Sequence, residues 1–229
     1  MNILIACEES QRECLAFRAK GHRAFSCDLQ ECSGGHPSYH IVGDVLPLLN
    51  GDCDFQTQDG LFHIQVGRWD LIIAHPPCTY LSIAGQQCFS PKKKTYEEMY
   101  ELSLQRSDAA LFFVKFFLAD CDRIAVENPV GYMNTHFEKP TQIIHPWQFC
   151  DTEDDPEFVT KKTCLWLKGL PPLKAVNAYT PPKNEKYLRE NDDWGNKYKY
   201  KVWAETTAGA VNRSKTFKCV AKAMAEQWG

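Results

Sequence analysis

Asn2-Ile-Leu-Ile-Ala-Cys7 opens the chain and, with the two segments after it, decides the fold class. Its unbroken apolar run is typical of a buried strand. The stretch from Ser10 to Lys20 has helical spacing of apolar residues and stops at Gly21, and His22-Arg-Ala-Phe-Ser-Cys27 predicts a second strand ending at Asp28. A strand, a helix and a strand in this order predict a βαβ unit, and with it an α/β fold with a doubly wound sheet.

Two later segments repeat the strand pattern, and in each the apolar run is followed by a reactive side chain. They are Trp69-Asp-Leu-Ile-Ile-Ala-His-Pro-Pro-Cys78-Thr-Tyr-Leu-Ser82 and Arg123-Ile-Ala-Val-Glu127-Asn-Pro129. Open α/β sheets hold their ligands at the carboxyl ends of strands, so we expect the Cys78 thiol and the Glu127 carboxylate to face one pocket. The two prolines fix the backbone before Cys78, although a further buried cysteine remains the alternative interpretation.

Length and composition indicate a cytoplasmic protein. The 229 residues suffice to bury a core without disulfides. The 11 cysteines come without an N-terminal signal pattern, which favours a reducing compartment. The longest apolar stretch, Ala109 to Ala119, is broken by Lys115, so no membrane span is predicted. No pattern predicts an oligomeric state.

Positive charge is concentrated near the C-terminus, although the net charge is −3. Residues 160 to 222 hold 14 Lys and Arg against 5 Asp and Glu, interleaved with aromatic residues. This composition suits a surface that meets phosphates and stacks on bases. A solvated lysine-rich face over packed aromatics is the alternative.

The turn after the first strand, Ala6-Cys7-Glu8-Glu9-Ser10, contains no glycine, so a pyrophosphate cradle is not predicted. Asp28 follows it at about the 20-residue spacing at which such folds hold a cofactor ribose, and Asp44 is a further candidate contact. A cofactor with a ribose and no phosphate would fit. Glu8 and Glu9 would suit a cationic ligand, with ordinary solvated carboxylates as the alternative.

Several other elements are predicted from local pattern. Residues 31 to 68 include a hairpin between Cys53 and Ile64, and Tyr96 to Ala119 form one long helix. Gly85 to Thr95 is predicted as a mobile loop that closes over the site, and Ser214 to Trp228 as the last helix. We expect a core at 1–169, a small basic, loop-rich lobe at 170–210, and a return to the core at 211–229.

Histidine and cysteine residues elsewhere predict no metal site. Cys32, His36 and His40 have metal-like spacing but lack a matching second pair, so an ordered loop is the preferred interpretation. His75 could act as a base, or it could be a histidine whose hydrogen bonds are satisfied beside the strand.

These motifs, in this order, resemble the DNA cytosine C5-methyltransferases, and most closely their short phage and prophage members. The similar segments cover most of the chain: Pro76-Pro77-Cys78, Glu127-Asn128, Asp28, Asp44, Thr160-Lys-Lys-Thr-Cys-Leu-Trp-Leu-Lys-Gly-Leu-Pro171, Arg213-Ser-Lys-Thr-Phe217 and Ala223-Met-Ala-Glu-Gln-Trp-Gly229. Lys161 and Lys162 replace the arginines of that family's Gln-x-Arg-x-Arg motif, and its Phe-x-Gly-x-Gly turn is absent.

The resemblance implies a Rossmann-like class I methyltransferase core with a small basic target-recognition lobe, in a bacterial cytoplasm. It implies methyl transfer from S-adenosylmethionine to C5 of cytosine in DNA through a Cys78 adduct at C6. Glu127 would meet ring nitrogen N3, and Asn128 would orient the base or the Glu127 loop. The implied cofactor contacts are Ala6, Cys7, Glu8, Glu9, Ser10, Asp28, Leu29, Asp44 and Pro76. The implied substrate contacts are Pro77, Ser82, Lys161, Lys162, Arg213 and Lys215.

Three alternatives remain open at this point. The same chemistry could act on RNA or on a free pyrimidine nucleotide. The chain could instead be a catalytically silent nucleic-acid binder, because the donor turn lacks its glycines. A Cys/His hydrolase is the weakest, since none of the seven histidines stands out as the partner.

Overall fold

A computed structural model describes residues 1–86, 89–90, 94–182 and 215–229. The protein is a mixed α/β fold with a seven-stranded, mostly parallel sheet and a separate two-stranded antiparallel sheet. The strands are β1 Asn2–Ala6, β2 Arg23–Asp28, β3 His40–Val42, β4 Cys53–Gln56, β5 Phe62–Val66, β6 Leu71–Ala74, β7 Ile124–Pro129, β8 Gln142–Ile144 and β9 Thr163–Lys168. The helices are α1 Arg12–Ala19, α2 Ile83–Gln86, α3 Tyr96–Phe117, α4 Met133–His136 and α5 Lys218–Trp228.

The large sheet has the strand order β3-β2-β1-β6-β7-β9-β8. The first five strands are parallel, and β9 runs antiparallel to both of its neighbours. Ala6 pairs with Cys27 on one side and with Ala74 on the other, and Ala74 pairs with Val126. The residues that follow these four positions therefore emerge side by side at one edge of the sheet.

Alternate residues of the central strands face two hydrophobic cores. Ile5 and Ile73 lie in the first core, to which α1 and α5 contribute. Leu4 and Ile72 lie in the second core, to which α3 contributes. Burial on both faces explains why the strands read as continuous apolar runs without polar alternation.

The prediction of one long helix after the Cys78 segment is confirmed, because α3 occupies Tyr96–Phe117. The predicted hairpin is also confirmed: β4 pairs antiparallel with β5. Within the predicted basic lobe, residues 170–182 form neither helix nor strand, and Leu170 and Leu173 lie in the first core. The rest of that lobe, 183–210, lies outside the described residues.

Two helix starts and one loop differ from prediction. α1 begins at Arg12 and not at Ser10, because Gln11 before it has a left-handed φ of 59°. α5 begins at Lys218, because Phe217 before it has an extended backbone, so the helix predicted from Ser214 is absent at 215–217; Ser214 itself lies outside the described residues. The predicted loop from 85 to 95 starts inside α2, and its residues 87–88 and 91–93 lie outside the described part of the chain. No helix among the described residues combines the length and apolarity needed to cross a membrane.

Candidate active site

A cavity of about 340 Å³ opens at the carboxyl ends of the central strands. Residues just beyond β1, β2 and β6, residues at the end of β7, and the segment before α5 line it. They include Cys7, Glu8, Glu9, Ser10, Asp28, His75, Pro76, Pro77, Cys78, Glu127, Asn128, Lys161, Lys215 and Thr216. The cavity thus brings together the predicted nucleophile, the predicted carboxylate and most of the predicted cofactor contacts.

Cys78 lies at the wall of this cavity with its side chain exposed. Desolvation by the surrounding walls and then the negative charge of Glu127 raise the pKa of its thiol, while Lys161 acts in the opposite direction. The chain turns directly after this residue, because the N–H groups of Leu81 and Ser82 donate to the Cys78 carbonyl. The thiol is accessible but remains protonated in the free protein, contrary to the thiolate that nucleophilic work requires.

Asn128 fixes the backbone that carries Cys78. Its side chain is buried, and Nδ2 donates a hydrogen bond of 2.8 Å to the carbonyl of Pro76. A β-bridge between Ser82 and Gly131 ties the same two segments together further along. The Ser82 hydroxyl is not in the cavity wall; it accepts the N–H of Gly85 within α2. Asn128 and Ser82 therefore hold the turn in place.

His75 bridges two carboxylates beneath the cavity. Its Nε2 lies 2.9 Å from Oε1 of Glu13, and its Nδ1 lies 3.3 Å from Oε2 of Glu127. Burial by itself lowers the pKa of this imidazole, but the carboxylates, Glu13 foremost, raise it well above its usual range. Burial would likewise raise the pKa of Glu13, and the His75 charge instead lowers it to about 2. The pair is an imidazolium and a carboxylate.

Glu13 is the site residue that the sequence interpretation missed. It lies on α1, its side chain is 0% exposed, and it contacts His75, which lines the cavity. A signal was present: Glu13 falls between Ser10 and Phe17 on the side of the helix that also carries Cys14, so a carboxylate occupies an apolar stripe. A buried charge in such a stripe requires a partner.

The glycine-free turn uses a left-handed backbone at Cys7, with a φ of 59°. Glu8 is buried in this turn and accepts the N–H groups of Glu13 and Cys14 at the first turn of α1. The interpretation of Glu8 as a solvated carboxylate is therefore wrong: it caps a helix. Burial and the neighbouring Glu13 raise the pKa of Glu8 well above its usual range.

Two predicted residues meet across the rim of the cavity. Lys215 Nζ lies 3.7 Å from Oε1 of Glu9 and donates to Oγ of Ser33 at 3.0 Å. Both side chains of the ion pair are less than a quarter exposed, at 20% for Lys215 and 16% for Glu9. The alternative interpretation of Glu9 as an ordinary solvated carboxylate is therefore wrong as well.

A second cavity of about 370 Å³ adjoins the first and shares Cys7, Asp28 and Pro77 with it. Asp44 and Leu29 line this second cavity. The predicted cofactor contacts are thereby divided between two adjacent cavities.

Among the described residues, Ser82 and two further predicted positions line neither cavity. Ala6 is fully buried in β1 and contributes its carbonyl, which accepts the N–H of His75. Lys162 is exposed and lines neither cavity. Arg213 lies outside the described residues.

The loop with metal-like spacing is held by hydrogen bonds. Both ring nitrogens of His40 are engaged at 2.8 Å, Nδ1 with the Ser26 hydroxyl and Nε2 with the carbonyl of Gln30. Its side chain has no free nitrogen for a metal ion. The described residues contain no group of three or more His, Cys, Asp and Glu side chains arranged to hold one.

Comparisons of the chain with models of protein families and with curated proteins found no match. The residues of the site are therefore the basis for assigning a function. That site combines a thiol, a carboxylate backed by an imidazolium, and carboxylates at the ends of neighbouring strands.

Proposed function

We propose that the protein transfers a methyl group from S-adenosylmethionine to C5 of cytosine in DNA. The observation that carries this proposal is that Cys78 and Glu127, from segments 49 positions apart in the chain, line one cavity at the carboxyl ends of β6 and β7. Attack by a thiolate on one ring carbon and protonation of a ring nitrogen are the two events that activate C5 of cytosine. A thiol and a carboxyl group that line the same cavity could carry out these two events.

The sheet supports the Rossmann-like, doubly wound architecture of class I methyltransferases. Chain order runs outward from β1 in both directions, to β2 on one side and to β6 on the other. The cavity opens beside this change of direction, where such folds bind their ligands. Helices contribute to the cores on both faces of the sheet.

The residues present fit S-adenosylmethionine. Asp28 and Asp44 present carboxylates in the second cavity, suited to accept from ribose hydroxyls and an adenine amino group. The donor has no phosphate, so the absence of a glycine cradle is compatible with it. When bound, it would supply an electrophilic methyl group.

The chain's own residues would carry out the remaining steps. The Cys78 thiol loses its proton to solvent, and Sγ bonds to C6 of the ring. The electron pair displaced from the C5–C6 double bond is delocalised to N3, which takes a proton from Glu127. C5 would gain the methyl group as the methyl–sulfur bond of the donor breaks. C5 then loses its own proton to solvent, the electrons of that C–H bond re-form the C5–C6 double bond, the Sγ–C6 bond breaks and N3 returns its proton. Lys161 would favour the thiolate, because it already lowers the pKa of Cys78.

The test is covalent trapping on DNA that contains 5-fluorocytosine, because fluorine at C5 cannot leave as a proton and the adduct persists. We expect a donor-dependent adduct with the wild type and none with Cys78→Ser. Cys53→Ser, in the β4–β5 hairpin, is the matched control and should form the adduct. Methyl transfer to dCMP alone, with none to duplex DNA, would exclude the proposed substrate.

A further inference from the structure

The buried contacts behind Glu127 extend the site beyond its predicted residues. Glu127 is only 20% exposed, and one of its carboxyl oxygens is engaged by His75 Nδ1 at 3.3 Å. His75 is in turn held by Glu13 at 2.9 Å on its other ring nitrogen. The three side chains come from α1, the end of β6 and β7, and they form a line that leads from the first core to the cavity.

We propose that Glu13 and His75 are positioning residues that orient Glu127 and supply it with the proton that it delivers to the pyrimidine ring. This inference rests on the proposed function. When Sγ of Cys78 bonds to C6, a proton moves from His75 Nδ1 to Glu127 and from Glu127 to N3. His75 ends neutral, and Glu127 returns to its starting state. When the Sγ–C6 bond breaks, the proton returns along the same path.

The geometry explains why this arrangement needs both residues. A carboxylate alone could not keep a second proton close by, whereas an imidazolium holds one at neutral pH when a fixed negative charge faces it. Glu13 supplies that charge from a position with no access to solvent. It also fixes the ring orientation, because it engages Nε2 and leaves Nδ1 toward Glu127.

The surroundings of the imidazole leave Glu13 and Glu127 as its closest charged neighbours. Glu8, in the turn after β1, also acts on it but less directly. Other titratable groups line the cavities that His75 borders: Cys7, Glu9, Asp28, Cys78, Lys161 and Lys215. Glu13 contributes most to keeping the imidazole charged.

Two substitutions separate proton supply from simple support. Glu13→Gln preserves the shape of the side chain and removes its charge. His75→Asn keeps an N–H donor on the side of Nδ1 but holds no transferable proton. Glu101→Gln, on the exposed surface of α3, is the control for loss of a carboxylate.

The first measurement needs no substrate: NMR titration of the His75 ring in the free protein. We expect the wild-type ring to keep its proton well above the ordinary histidine pKa, and the Glu13→Gln ring to lose its proton at lower pH than the wild type. A wild-type ring that titrates near the ordinary histidine value would overturn the inference by itself, whatever the protein methylates.

The second measurement is tritiated methyl transfer from S-adenosylmethionine to a cytosine-containing duplex, followed across pH. We expect the alkaline limb of kcat in Glu13→Gln to move to lower pH together with the NMR titration. His75→Asn should lose about 100-fold in kcat with KM changed by less than about threefold, the size expected of a general acid.

The outcomes keep the two proposals apart. If the wild type is active and His75→Asn retains full kcat, the proton relay alone is overturned. The same holds if the NMR titration of His75 moves in Glu13→Gln while the alkaline limb of kcat stays fixed. A wild type that methylates no duplex overturns the proposed function, and the NMR titration still decides the state of His75. If His75→Asn does not fold, Glu13→Gln carries the test.

Discussion

At the scale of single residues, the surroundings of two buried glutamates five positions apart shift their pKa values in opposite directions. Glu13 faces an imidazolium, and its pKa is lowered to about 2. Glu8 caps α1 without a cation in direct contact, and burial followed by the proximity of Glu13 raises its pKa well above 4.5. The carboxyl group with a cationic partner keeps its charge, and the one without such a partner takes a proton.

This difference predicts how stability varies with pH. The unfolded chain releases the Glu8 proton above about pH 4.5, whereas the folded protein keeps it. The free energy of unfolding therefore falls as pH rises from about 4.5 to the pKa of Glu8 in the folded protein. The expected slope is about 1.4 kcal/mol per pH unit for one proton. Glu8→Gln removes this loss. In urea unfolding, the stability of the variant relative to the wild type should increase between pH 4 and pH 8.

Glu13→Gln should behave in the opposite sense. The lowered pKa of Glu13 contributes stability that is present above pH 4.5 and lost as pH falls toward 2. Glu13→Gln should therefore have a smaller free energy of unfolding than the wild type at neutral pH. Parallel pH profiles for wild type and Glu8→Gln would mean that Glu8 is ionised in the folded protein.

At the scale of elements, the segments that follow β6 and β7 are fastened to each other. The parallel register brings residue 75 level with residue 127. Beyond the strands, the N–H of Tyr132 donates to the carbonyl of Leu81 at 2.6 Å, and Gly131 passes directly beside that carbonyl. These backbone contacts, together with the Asn128 side chain that holds Pro76, therefore help to set the distance between thiol and carboxylate.

Gly131→Ala tests this fastening. A Cβ at this position would lie 1.9 Å from the Leu81 oxygen, and backbone on both sides must move to admit it. We expect a loss of roughly 1–3 kcal/mol in stability. Methyl transfer should fall by about 100-fold, because small displacements at a reacting centre are costly. Gly67→Ala, where a Cβ would meet nothing within 4 Å, should leave both measurements unchanged. Equal effects of the two substitutions would show that the contact does not position the site.

The same elements show what the sequence could and could not predict. Apolar runs located β1, β6 and β7, and the rule that ligands bind at strand ends placed Cys78 and Glu127 at one cavity. The start of α1 could not be read locally, because its cap is the Glu8 side chain, which precedes an intervening left-handed residue. Glu13 was missed for a related reason: its partner lies 62 positions away along the chain.

At the scale of the whole molecule, α5 joins the core to the site. It packs against α1, and Trp228 near its end is fully buried, with its ring N–H donating to the Pro171 carbonyl at 3.0 Å. Arg123, at the start of the β7 segment, donates to the Trp228 carbonyl. Lys215 and Thr216, just before the helix, line the cavity. The C-terminal segment therefore closes the first core and completes one wall of the site.

Trp228→Ala should be the most destabilising of these changes. Truncating a fully buried tryptophan costs about 3–5 kcal/mol, because burial is lost and a cavity remains. Thermal unfolding should shift down by roughly 10 °C in a chain of this size. Leu118→Ala, just after α3 with a side chain 76% exposed, is the matched control and should change stability by less than about 0.5 kcal/mol. If the fold depended on α5 only weakly, the two variants would unfold at similar temperatures. Trp228→Ala could lose much of its thermal stability and still form the Cys78 adduct below its unfolding temperature. This result would show that α5 supports the core more than the chemistry.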